Sequence, residues 1–199
     1  MTATVGYSTM LPGLHDHDAV PRQALLLHAD FAAAIASCLE VGAATEVFYC
    51  VGREHAVDGF RDFCTGLEST HDRAIEELAF TLVAHAWLWQ FRQCGFGSWT
   101  VDLSRADDGL VVCEGTAPSL DAVSGPPIRA FVAGMLAGFF SSLAQRELRA
   151  IDVARYSIEK TSPGAWRIAV GGPQHTKDVL AHIESGASFD EATGGSHDR

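Results

Sequence analysis

Basic residues are scarce in this chain of 199 residues. Fourteen lysines and arginines stand against 25 aspartates and glutamates, which gives a formal net charge of −11 at pH 7. Binding to nucleic acid needs a basic surface that neutralises phosphates, and docking on anionic lipid needs one as well. The composition therefore argues against both classes of partner, although charge alone says nothing about the fold.

Cysteines are few and poorly arranged for cross-linking or metal binding. Their number is odd, their spacings are wide, and no CxxC pair occurs among Cys38, Cys50, Cys64, Cys94 and Cys113. Disulfide frameworks and structural zinc sites need paired, closely spaced cysteines. The sequence predicts five reduced thiols that are mostly buried.

Long apolar runs and a secretory leader are also missing. A helix needs roughly 18–20 apolar residues to span a bilayer. The best candidate, Ile128 to Leu143, is shorter than that and carries Arg129 near its start. The first twenty residues lack the basic region and apolar run of a signal peptide. We expect a cytoplasmic protein without a membrane span.

The sequence contains none of the common catalytic or nucleotide-binding motifs. GxSxG, HExxH, the phosphate-binding loop and GxGxxG are all missing. No catalytic residue is therefore assigned. A reductase is the weakest of the functions considered, because no nicotinamide or flavin motif is present.

The chain does have enough apolar residues for one core. Hydrophobic residues make up 47% of the sequence, which is sufficient for a sizeable domain. Composition divides the chain into a flexible lead-in over residues 1–22, a single domain over 23–185 and a disordered tail over 186–199.

Helical periodicity dominates the first half of that domain. The sequence predicts three helices, over residues 28–42, 43–67 and 70–95. Gly42 is the expected end of the first helix. Thr70 or Asp72 is the expected N-cap of the third helix, and Gly95 its end. Gly52 and Gly59 weaken the case for an unbroken second helix.

The second half alternates β-type runs with helices. Strands are predicted over 98–103, 110–116, 149–160 and 166–172, and helices from Pro126 to about Glu147 and over 176–185. Asp108-Gly109 has hairpin-turn chemistry. This order indicates an α+β fold in which N-terminal helices pack on an antiparallel sheet of about four strands, with a buried glycine-rich helix between two hairpins.

The glycine-rich helix has two distinct faces. One is a stripe of large apolar side chains, and the other is a stripe of small residues that includes Gly134 and Gly138. Two glycines inside a helix cost roughly 1 kcal/mol each relative to alanine. Close packing must offset that cost, and it can come from the chain's own structure, a second copy, or a flat ligand.

This helix carries a resemblance to a known family. The segment "FVAGMLAGFFSSLAQREL", followed by a β-hairpin, resembles the core motif of the 4-vinyl-reductase-type small-molecule-binding domains. The segment "HAWLWQFRQCGFGSWTV" is similar to the helix-to-strand junction of the bacteriochlorophyll-operon members of that family. The resemblance spans roughly Leu25 to Val170 and implies helix-mediated pairing into a homodimer or a larger assembly.

The chain departs from the zinc-binding members of that family. Those members carry a cysteine just before the glycine-rich helix and two more in the last hairpin. Here Ile128 and Arg129 stand where the first cysteine is expected, and the hairpin has none. Zinc is therefore not expected.

A second resemblance points to a different function. The order of a helix, "GFGSWTVDLSRADDGLVVCEG", a loop and a glycine-containing helix is similar to the small acidic scaffold component of bacterial cellulose synthase. That resemblance implies an oligomeric structural scaffold associated with cellulose export.

Seven residues are candidates for contact with a ligand. His85 lies in an apolar helix and can ligate a metal-containing tetrapyrrole or donate a hydrogen bond. Aromatic side chains cluster where this helix meets the first strand and are typical of a pocket for a flat molecule. Arg129, at the start of its helix, is placed to meet a carboxylate of a ligand or of a neighbouring chain. The predicted set is His85, Trp89, Phe96, Trp99, Arg129, Gly134 and Gly138.

Together these patterns predict a non-catalytic binding domain for a hydrophobic molecule, tetrapyrrole-like or aromatic, that acts as a carrier, sensor or assembly factor. The alternative is the oligomeric scaffold. A purely structural role is also open at these positions: core packing for the aromatic cluster and for His85, and a surface ion pair for Arg129.

Overall fold

The structure is a computed structural model that describes residues 38–117, 125–153 and 165–193. The described helices are α1 (Val41–His71), α2 (Phe80–Gln93), α3 (Pro126–Ala144), α4 (Pro173–Glu184) and α5 (Phe189–Ala192), with a 3₁₀ turn at Ile75–Glu77. The strands are β1 (Ser98–Asp102), β2 (Leu110–Thr116), β3 (Arg149–Asp152) and β4 (Ala165–Gly171).

The four strands form one antiparallel sheet in the order β1-β2-β4-β3. Alternate residues of β2 face opposite layers. Val111 and Cys113 join the core under α1, α2 and α3, while Leu110 and Val112 join a second cluster under α4 and α5. The sheet is therefore sandwiched between two helical layers, and the predicted α+β fold with about four strands is confirmed.

The glycine-rich helix α3 is the centre of the larger core. Every residue from Ala130 to Phe140 is buried, and α3 contacts α1, β3 and β4. Its 19 residues make it long and apolar enough to cross a membrane by length and composition alone, so the length argument from the sequence is too strict. A buried core helix passes the same test, and α3 is covered by the rest of the fold.

Two helix boundaries differ from the prediction. Gly42 does not end a helix but lies in the first turn of α1. The helix predicted over 70–95 begins only at Phe80. Asp72, expected as its N-cap, is instead the C-cap of α1 with a left-handed backbone (φ 51°). The side chain of Glu68 accepts a hydrogen bond from the Ile75 backbone at 2.8 Å, which fixes the turn between the two helices.

The end of the chain also differs from the prediction. Part of the segment expected to be a disordered tail forms the short helix α5. Ser188 and Glu191 make a reciprocal capping box at its start. The Phe189 ring is buried, with the guanidinium groups of Arg105 and Arg167 lying 6.0 and 5.2 Å from its centre. Phe189 and Thr193 are thus packed against the domain.

Several predictions fall on residues that the structure does not describe. These are the lead-in over 1–22, the first helix up to residue 37, the strand prediction beyond residue 153 and the tail prediction beyond residue 193. The hairpin strands β1 and β2, by contrast, lie where the sequence predicts them, with Gly109 at a positive φ of 79° in the turn.

Candidate functional site

The predicted aromatic cluster is a filled core. The Trp87 ring stacks between Phe91, at a centroid distance of 4.9 Å, and Phe139, at 4.2 Å. The stack continues from Phe91 to Phe96 at 4.5 Å. These rings contact one another and leave no space between them for a flat ligand.

Phe96 and Trp99 therefore belong to this core. Both are buried, and the Trp99 indole nitrogen donates a hydrogen bond to the Phe96 carbonyl at 2.6 Å. Neither residue lines either of the two cavities described below, which are formed by the described part of the chain. Core packing, the alternative that the sequence left open, accounts for their contacts.

His85 and Trp89 lie on the outer side of α2. The Nδ1 atom of His85 is 2.6 Å from the Thr81 carbonyl oxygen, one turn earlier in the same helix. Trp89 is 38% exposed. The two side chains share one helical face four residues apart, away from the aromatic core and from both cavities described below.

Gly134 and Gly138 form a close contact with helix α1. A methyl group on Gly134 would overlap the Tyr49 carbonyl oxygen, and one on Gly138 would overlap that of Arg53. The contact is reciprocal, since a methyl group on Gly52 of α1 would overlap the Phe131 carbonyl oxygen of α3. The chain's own helix therefore occupies the small-residue stripe, and no room remains there for a ligand or a second copy.

Arg129 meets a carboxylate of its own chain. Its Nε and Nη2 atoms bond both oxygens of Asp152, the Nη2 contact measuring 3.1 Å. The guanidinium group also lies 4.1 Å from the Trp166 ring centre. Both members of the pair are mostly buried, so Arg129 is held in place from two sides at the start of α3.

A groove of about 270 Å³ opens beside this ion pair. It lies where the first turns of α1, the start of α3, the edge strand β3 and helix α4 meet. Its apolar lining consists of small and aliphatic side chains from three of these elements: Ala130, Ala133, Ala150, Ile151 and Leu180.

Charged and hydroxyl groups line the rest of the groove. The charged ones are Glu46, Arg129, Arg149, Asp152 and Lys177, and the hydroxyl ones are Thr45, Tyr49 and Thr176. Arg149 reaches Glu46 at 3.8 Å, with both side chains substantially exposed. A smaller cavity of about 60 Å³ adjoins the groove and shares Glu46, Tyr49 and Arg149 with it.

Tyr49 connects α1 to the free edge of β3. Its hydroxyl oxygen accepts a hydrogen bond from the Ala150 backbone nitrogen at 3.1 Å, which satisfies one donor of the edge strand. Burial raises the pKa of the Tyr49 phenol above its ordinary value. The hydroxyl therefore stays protonated at neutral pH and keeps its own proton to donate.

The polar lining of the groove consists of charged and hydroxyl groups. The described residues that line it include no histidine or cysteine. The Thr176 hydroxyl lies within 3.2 Å of the Gly172 and Pro173 carbonyls at the start of its own helix and donates to them. Within the described ranges, no group of three or more histidine, cysteine or acidic residues converges on one point.

Of the seven predicted site residues, only Arg129 lines the groove. Sequence reasoning missed Tyr49, Arg149 and Lys177. Each is a residue type that is common on protein surfaces. The three lie close together only because α1, β3 and α4 pack side by side. Nothing local in the sequence marks them.

No protein-family model matches the chain, and no curated protein matches it. Among solved structures, it is similar to a trafficking protein particle complex subunit 3 from Naegleria fowleri, solved covalently bound to palmitic acid. The two share 12% identity with a TM-score of 0.49, over 73% of this chain and 92% of the other. At that level of similarity the match supports no statement about the ligand of this chain.

Proposed function

We propose that this chain is a non-catalytic binding domain for a small hydrophobic molecule and that it acts as a carrier, sensor or assembly factor. The groove between α1, α3, β3 and α4 supports the proposal. Five apolar side chains and eight charged or hydroxyl-bearing ones from four converging elements line it, and such convergence of apolar and polar groups is typical of a ligand site.

The size of the groove limits the ligand. Pockets that enclose drug-sized ligands measure about 300–1,000 Å³, and this groove measures about 270 Å³. A small aromatic molecule or a short aliphatic chain suits that volume better than a tetrapyrrole. Of the two ligand classes that the sequence predicts, we therefore favour the aromatic one.

The test is binding of a neutral hydrophobic fluorophore, N-phenyl-1-naphthylamine, to the purified chain. Ligand that binds only the folded state raises the free energy of unfolding by RT ln(1 + [L]/Kd), about 2.7 kcal/mol at a hundredfold excess over Kd. We expect a fluorescence gain that saturates, together with a higher melting temperature.

A pair of neighbouring substitutions locates the site. Leu180 lines the groove, whereas Ala181 is exposed and lies outside it. Leu180→Trp fills the groove and should abolish probe binding, while Ala181→Trp adds the same ring and should leave binding intact. Equal binding by both variants, or none by the unmodified chain, would contradict the proposal. A large unliganded oligomer would then favour the scaffold alternative.

The homodimer remains a proposal as well. Its seam is not the glycine stripe, because α1 already covers Gly134 and Gly138. Absence of zinc and a cytoplasmic location also remain predictions, and metal analysis of the purified chain checks the first.

A further inference from the structure

Basic side chains are concentrated in the groove of an otherwise acidic protein. Three of the 14 lysines and arginines line it, namely Arg129, Arg149 and Lys177, alongside the two carboxylates of Glu46 and Asp152. The lining thus carries one net positive charge, while the whole chain carries a formal charge of −11.

The three cations are not equivalent. Asp152 neutralises Arg129 through two hydrogen bonds in a mostly buried ion pair. The charge of this arginine is therefore already balanced within the fold. Arg149 has only a loose partner, Glu46, at 3.8 Å, and its guanidinium group lies 5.8 Å from the Tyr49 ring. Lys177 makes no ion pair with any described residue.

Arg149 and Lys177 come to the groove from different layers. Arg149 begins β3, and Lys177 lies in the second turn of α4. The apolar side chains of Ile151 and Leu180 line the same groove. A ligand that satisfies both parts of the lining has an apolar body and an anionic group.

We infer that the groove binds a short amphiphile with one anionic group, carboxylate or phosphate, which Arg149 and Lys177 recognise. The inference rests on the proposed function and specifies its ligand. Arg129 is a positioning residue, since it holds β3 against α3 through Asp152. Glu46 opposes binding, because its carboxylate competes with the ligand for Arg149.

The experiment compares three ligands with the same eight-carbon chain: octanoate, octyl phosphate and the neutral octanol. We expect calorimetric titration to show tighter binding of at least one anion than of octanol. Raising the ionic strength from about 0.01 M to about 1 M shortens the Debye length from about 30 Å to about 3 Å. The anion's affinity should fall over that range while the affinity for octanol does not.

Two substitutions in the groove should act in opposite directions. Lys177→Gln should weaken binding of the anion by about two- to fivefold, the effect expected for an exposed charge pair. Glu46→Gln should strengthen it, because it frees Arg149. Octanol binding should stay constant in both. Arg61→Gln is the control, because Arg61 is an exposed arginine on α1 outside the groove.

The outcomes distinguish specificity for an anionic ligand from hydrophobic binding itself. If octanol binds as tightly as both anions, or if Lys177→Gln leaves anion affinity unchanged, the anionic specificity is wrong and the hydrophobic site stands. If neither these ligands nor the neutral fluorophore binds, the proposed function itself is wrong. Preference between octanoate and octyl phosphate distinguishes the two anions.

Discussion

At the scale of single residues, the five thiols divide by burial. Cys64 and Cys113 are buried, whereas Cys38, Cys50 and Cys94 are exposed, and all five are free. The sequence correctly predicts reduced cysteines but overestimates how many are buried. Cys50 shows why: it lies on the outer side of a long helix whose burial depends on which face meets α3.

This division predicts how many thiols react in the folded chain. Burial, followed by the nearby Glu68 and Glu76 carboxylates, raises the pKa of Cys64 to about 11. Burial also raises the pKa of Cys113. Both thiols therefore stay protonated and unreactive at about pH 8, since the thiolate is the nucleophile. Ellman's reagent should titrate Cys38 and Cys50 rapidly in the native chain, Cys94 more slowly because partial burial raises the pKa of its thiol, and all five in denaturant.

Cys50→Ser provides the control for that count. It should lower the rapid count in the native chain by one, because Cys50 is exposed. Rapid reaction of Cys64 or Cys113 in the folded chain would contradict the assigned burial.

Arg129 shows how far residue-level prediction reaches. Its position at the start of an apolar helix predicts a carboxylate of a ligand or a neighbouring chain, or else a surface ion pair, whereas the observed partner is a mostly buried carboxylate of the same chain. That partner, Asp152, lies 23 residues further along the chain on another element. Only the packing of β3 against α3 brings the two together.

At the scale of elements, local signals predict some boundaries and miss others. The Pro126-Pro127 pair and the Asp108-Gly109 turn place α3 and the first hairpin correctly. The end of α1 is missed, because Asp72 is typical of a helix start and here adopts a left-handed conformation at a helix end. The hydrogen bond that the Ile75 backbone donates to the Glu68 side chain stabilises the turn at this helix end.

The α1–α3 contact predicts that alanine substitutions at Gly134 and at Gly59 change the free energy of unfolding in opposite directions. Gly134→Ala should destabilise the fold by about 1–3 kcal/mol or more, because the added methyl group meets the backbone of α1 rather than a side chain that can move. Gly59→Ala, on α1 itself, should stabilise by about 0.5–1 kcal/mol, since nothing lies within 4 Å of the new methyl group.

Urea unfolding followed by circular dichroism measures both changes, with Gly66→Ala as a second open position on α1. If Gly134→Ala matched Gly59→Ala in stability, the close helix contact would be wrong. The same comparison tests whether Gly52 is retained in α1 for packing, since Gly52→Ala should behave like Gly134→Ala.

At the scale of the whole molecule, the layered fold is predictable and the groove is not. Hydrophobic periodicity assigns α3 to the core and the strands to one sheet, because each pattern is local. The groove combines residues from Thr45 to Leu180, and its volume depends on how four elements approach one another. No periodicity encodes that approach.

The proposed homodimer also belongs to the scale of the whole molecule, and we propose the outer face of α1 as its interface. Val47, Val51 and Val57 are 44%, 50% and 39% exposed, and Val47 and Val51 lie one turn apart on the same face of α1. The stretch they cover is only about 15 Å long. Stable interfaces bury about 1,200–2,000 Å², so we expect a weak dimer that dissociates on dilution.

Charged substitutions on this face should remove the dimer. Val47→Lys combined with Val51→Lys places two like charges opposite their copies in a symmetric helix pair. Thr65→Lys combined with Ser69→Lys adds the same charge further along α1, at two exposed positions, and should leave the dimer intact. Sedimentation velocity over a hundredfold concentration range distinguishes the two. A monomer at every concentration of the unmodified chain would refute the homodimer, and equal dimerisation of both variants would place its seam elsewhere.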